Sequence, residues 1–143
     1  MSATKGKASR IPPDVPSFDA VVKGVPTATR NVITGYGNGG FRIGDRRREG
    51  SLIVFPDAVL DWPVAGMPDV TPEALAEVVA RSLRVDILLL GCGDASEVPA
   101  RDVRDFLRPH GIVVDAMTTG AACRTYNILM AEDRLVAAAL VAV

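Results

Sequence analysis

Two short stretches hold the residue types that could do chemistry: Gly91-Cys92-Gly93-Asp94 and Met117-Thr118-Thr119-Gly120. A thiol between two glycines stands where the backbone can turn sharply or let another group approach closely. A helix that starts just beyond it would favour the thiolate. Cys92 nevertheless lacks a base, because His110 is the only histidine and follows Pro109 at the far end of a predicted helix. A pair of threonines ahead of a helix offers hydroxyls and exposed amides, the groups that hold a carboxylate or a phosphate. Along that helix Arg124 and Asn127 occupy the one polar sector, and Ala121, Ala122, Thr125, Tyr126, Ile128 and Leu129 fill the buried remainder. Arg124 and Asn127 could serve a ligand or could satisfy carbonyls of adjoining loops.

Other constellations carry less. Asp86, Asp94 and Asp115 could meet as paired carboxylates, but strand-end aspartates more often cap turns. Gly-Cys-Gly is not a full dinucleotide fingerprint and no Lys-Ser/Thr phosphate loop appears, so no cofactor and no metal is expected. Arg46-Arg47-Arg48 is too short for a nucleic-acid footprint and suits a solvated hairpin edge that discourages strand addition. The net charge of -1 and pI near 5.8 agree, since nucleic-acid binders carry a strong positive excess. Cys92 and Cys123 are the only cysteines, too few for a disulfide framework, which fits thiols kept reduced in the cytoplasm.

At 143 residues and 48% hydrophobic content the chain suits one compact domain. Residues 1–16, with Pro12, Pro13 and Pro16, read as a flexible tail, and residues 17–143 as the domain. No stretch approaches the roughly 20 apolar residues of a membrane helix, so no transmembrane segment is expected.

The elements that must position these groups are legible in order. Residues 18–55 alternate apolar runs with glycine clusters, the pattern of antiparallel hairpins. Val32, Thr34 and Tyr36 share one face of a strand, Gly37-Asn38-Gly39-Gly40 turns it, and Gly44-Asp45 makes a second turn. Ser51-Leu52-Ile53-Val54-Phe55 is a buried strand ended by Pro56, expected beside the Val85 strand. Residues 57–69 read as an irregular loop whose Trp62 seals the core. Thr71-Pro72 starts a helix with Leu75, Val78 and Val79 inward and Glu77 able to pair with Arg81.

The apolar run Val85-Asp86-Ile87-Leu88-Leu89-Leu90 has no polar face and reads as a central strand covered on both sides. A second helix follows from about Pro99, then an Ile112-Val113-Val114 strand, the third helix, and a last strand near Arg134-Leu135-Val136 whose alanines leave helix as the competing state. The fold class is α/β: hairpins, then a central mixed β-sheet with helices on its faces. If the Val85 and Ile112 strands are parallel neighbours, Gly91-Cys92-Gly93 and Thr118-Thr119 meet at the crevice where open α/β sheets bind ligands.

Gly50-Ser51-Leu52-Ile53-Val54, Leu88-Leu89-Leu90-Gly91-Cys92-Gly93 and Met117-Thr118-Thr119-Gly120-Ala121-Ala122-Cys123-Arg124-Thr125-Tyr126-Asn127 together resemble the adipogenesis-associated Mth938 domain family, relatives of mitochondrial complex I assembly factor 3. The resemblance runs over residues 31–141 and is most specific at residues 121–127. It implies a three-layer domain with no established enzymatic activity and, in the mitochondrial branch, help in assembling the respiratory NADH dehydrogenase. It also implies a pocket of Gly91, Gly93, Thr118, Thr119, Arg124, Tyr126 and Asn127, to which Cys92 is added as the residue between the two glycines. The family's usual Gly-Thr-Gly at positions 91–93 weakens any role special to Cys92. The expectation is a cytoplasmic, non-enzymatic accessory domain with a protein partner, among them membrane-complex subunits. The alternative is a small-molecule or enzymatic site for an anionic ligand.

Overall fold

The computed structural model describes residues 30–143, and the fold is that of the compact unit Asn31–Val143. The expected tail over residues 1–16, and residues 17–29 of the expected domain, lie outside the described residues.

Three short strands, β1 (Ile33–Gly37), β2 (Gly40–Ile43) and β3 (Arg46–Glu49), form an antiparallel meander. Asn38 and Gly39 are the two residues between β1 and β2, and both adopt positive φ (54° and 80°). Such a pair matches the twist of the flanking strands. Ile33, Phe41 and Ile43 turn inward while Thr34 and Arg42 turn out, the period of two that a half-buried sheet demands.

The main sheet has five strands: β4 (Leu52–Phe55), β5 (Ala58–Asp61), β6 (Ile87–Gly91), β7 (Val113–Met117) and β8 (Val136–Leu140). Their order is β5-β4-β8-β6-β7, with β8, β6 and β7 parallel and β4 antiparallel to its neighbours. One face packs Ile53, Phe55, Leu88 and Leu90 under α1 (Ala76–Ala80), α2 (Arg101–Leu107) and Trp62. The other packs Leu52, Val54, Leu89 and Leu140 under α3 (Thr119–Ala131) and the meander residues Ile33, Phe41 and Ile43. The result is the expected three-layer α/β domain.

Four expectations need correction. Residues 57–69 are not one loop: Pro56-Asp57 is a two-residue hairpin turn and Ala58–Asp61 pairs with β4. β4 does not lie beside β6, because β8 runs between them. Ala137, Ala138 and Ala139, all fully buried, are small enough for both layers to close over that central strand. Arg81 engages Asp57 (3.9 Å) and the Phe55 ring (4.7 Å to the centroid) in place of Glu77. Ile128, assigned to the buried side of α3, is 58% exposed, since the meander covers only part of that helix. Trp62 does seal the core, its Nε1 donating to the Ala74 carbonyl at 2.7 Å.

Candidate functional site

The carboxyl ends of β6 and β7 lie side by side, Gly91 opposite Met117, as the crevice argument requires. The ends are then laced together. The Cys92 amide donates to Met117 O (2.8 Å), the Thr119 amide to Gly93 O (2.9 Å), and the Val141 amide to Gly91 O (2.9 Å). Thr119 Oγ1 accepts from the Gly93 amide at 2.9 Å and donates to Val141 O at 2.7 Å. Position 91 is tight, since a Cβ there would lie 3.0 Å from both Leu140 Cδ2 and Thr119 Cα. Thr118 caps α3 through the Ala121 amide at 3.3 Å. The crevice is thus occupied by the chain's own groups, and the fully buried Thr119 keeps neither its hydroxyl nor its amide for an anion.

The eight candidate residues do not converge. Cys92 faces the α2 side, its Sγ 3.6 Å from Leu90 O, whereas Tyr126 and Cys123 belong to the α3 side. Burial pushes the Cys123 thiol up to about 12, partly offset by the adjacent Arg124. Neither buried cysteine is presented as a nucleophile. Among the described residues no group of three or more His, Cys, Asp or Glu could hold a metal ion, so Asp86, Asp94 and Asp115 form no such set.

Tyr126 and Asn127 have an architectural role. Tyr126 Oη donates to Asn31 O at 2.9 Å. Asn127 Nδ2 donates to Ile33 O at 2.7 Å while its Oδ1 accepts from the Ile33 amide at 3.0 Å. This two-point clasp holds β1 against α3, the carbonyl-satisfying role weighed from the sequence.

What remains open is a surface. Arg124 is exposed and its Nη1 donates to Tyr36 Oη at 3.5 Å. Tyr36, 46% exposed, lies across Gly120, where any Cβ would collide with its ring and hydroxyl. Ile128 follows Arg124 one turn along α3. Sequence reasoning found Arg124 but missed Tyr36 and Ile128. The signals available were the outward face shared by Val32 and Tyr36 and a glycine in the first turn of α3.

The three-layer α/β domain is of the Mth938-like class. A family described as a protein of unknown function (DUF498/DUF598) matches residues 33–141, and the chain belongs to that family, to which complex I assembly factor 3 is related. The chain is 36% identical over 113 residues to the Drosophila melanogaster NADH dehydrogenase [ubiquinone] 1 alpha subcomplex assembly factor 3, covering 77% of this chain and 58% of that protein. It therefore spans about three fifths of the length of the assembly factors it matches. A crystal structure described as an outer membrane protein from Bartonella henselae is 41% identical, with a TM-score of 0.75 and coverage of 79% of this chain and 95% of that one. A Bordetella pertussis solution structure described as a Mth938-like domain is 29% identical, with a TM-score of 0.72 and coverage of 81% and 88%. Among the described residues no helix is long and apolar enough to cross a membrane.

Proposed function

We propose that this protein is an assembly factor for a membrane-bound NADH dehydrogenase, docking a subunit of that complex from the cytoplasmic side through Tyr36, Arg124 and Ile128. The observation that carries the reading is the 36% identity to an NADH dehydrogenase assembly factor over 113 residues, most of the described fold. The geometry supports a protein-binding role because Thr118 and Thr119, the groups suited to holding an anion, are spent on internal bonds, while an aromatic ring, an arginine and an aliphatic side chain stand exposed along β1 and α3. Tyr and Arg are the side chains that most often anchor protein interfaces.

The test is complementation in the protein's own host. A strain lacking the protein accumulates incomplete NADH dehydrogenase on native gels, wild-type protein restores the mature complex, and folded Arg124→Glu does not. Normal levels of mature complex in the deletion strain would reject the proposal.

A further inference from the structure

We propose that the free edge of β7 is a second docking site, which takes an extended acidic segment of a protein partner by strand addition. This goes beyond the surface on α3 and does not depend on which complex is assembled.

In a parallel ladder alternate residues direct both backbone groups to the same neighbour. The Val113 amide donates to Asp86 O and Met117 O accepts from Cys92, so residues 113, 115 and 117 face β6. Val114 and Ala116 therefore present N–H and C=O outward, and among the described residues β7 has no other strand beside it. Two of the other edges, β3 and β1, are defended. β3 carries Arg46, Arg47 and Arg48. β1 has both backbone groups of Ile33 occupied by Asn127. β5 ends in Asp61, tied to Arg48 at 3.1 Å. β7 has one charge, no proline and no bulge, and its Val113 is 67% exposed, the profile of an edge left open to pairing.

Two clefts along this edge specify the partner. The first, about 250 Å³, lies between α2 and the start of β7 and is lined by Arg104, Arg108, Ile112, Val113 and Val114, two cations and no acid. Arg101 and Arg108 share Asp105 at 3.9 Å, whereas Arg104 has no ion pair among the described residues. The second cleft, also about 250 Å³, adjoins it at Arg104 and Val114, reaches Pro99 and the 81%-exposed Val98, and carries the acids Glu97 and Asp115. Same-face side chains of an added strand recur about 6–7 Å apart, the spacing of adjacent pleats. One acidic side chain would reach Arg104 and Arg108, and the next on that face, an uncharged one, would enter the second cleft beside Val98 and Pro99, where Glu97 and Asp115 disfavour a second acid. Strand addition of this kind takes affinity from main-chain hydrogen bonds and specificity from alternate side-chain pockets.

The test pans a displayed random peptide library on the whole protein, with counter-selection on Val114→Pro, which removes an outward N–H and leaves the β6 ladder intact. Enriched peptides should carry an apolar residue two positions from an acidic one and slow amide exchange at Val114 and Ala116 about tenfold when present at roughly ten times Kd. Arg104→Glu, at an exposed position, should weaken them about tenfold and serves if the proline variant does not fold. No enrichment, enrichment of basic or uncharged peptides, or protection confined to other strands or to α3 would overturn the proposal.

Discussion

Thr119→Val replaces one hydroxyl by a methyl in a side chain of similar shape, and the structure fixes what is lost. Thr119 is fully buried, and its Oγ1 is the partner of both the Gly93 amide and the Val141 carbonyl. Leaving a buried donor or acceptor unmade costs about 1–3 kcal/mol, so two orphans cost roughly 2–6 kcal/mol. That is a large part of a total stability of about 5–15 kcal/mol. For a unit of this size each kcal/mol moves Tm by about 4 °C, so the melt should fall by roughly 8–24 °C. Urea unfolding should show a lower midpoint with an unchanged slope, because the surface exposed on unfolding is the same. Thr119→Ser keeps the hydroxyl and should lose only about 1 kcal/mol for the methyl. A valine variant within about 0.5 kcal/mol of wild type, or a serine variant less stable than the valine one, would refute the lacing argument.

Gly91→Ala should cost about 1–3 kcal/mol in urea titration, because the new Cβ meets both Leu140 Cδ2 and the Thr119 backbone at 3.0 Å. Asn127→Leu should destabilise by about 1–3 kcal/mol and speed amide exchange in β1 more than in β6, since both bonds to Ile33 vanish together. The Cys123 thiol has its folded pKa raised from 9.0 to about 12 by burial. Its contribution is therefore fully present below pH 9.0 and lost as pH rises towards about 12, where the unfolded thiol ionises first. Cys123→Ala should flatten the alkaline fall of stability in that window, as read by urea midpoints against pH.

The parts of the fold legible in the sequence were those with a single physical solution. Leu88, Leu89 and Leu90 leave no polar face, so β6 had to be an interior strand, and Asn38-Gly39 admits a tight hairpin. Strand order was not legible, because nothing local tells β4 that its neighbour comes from residues 136–140 and not from 87–91. β5 was hidden because Pro56 reads as a terminator, although it serves as the first residue of a two-residue turn. At the site, the threonines were correctly placed at the mouth of the crevice. That their groups would face inward could not be read without knowing that Val141 passes beside Gly91. Tyr36 escaped because its partner Arg124 lies 88 residues away.

Site-specific photo-crosslinking from position 128 in intact cells tests the central claim most directly, because Ile128 is exposed on the proposed docking face and carries none of the internal bonds described for α3. The account predicts an adduct to an NADH dehydrogenase subunit that disappears when Arg124→Glu is added, while a probe at the exposed Leu83 gives none. Adducts only to unrelated proteins, or equal adducts from both positions, would contradict it.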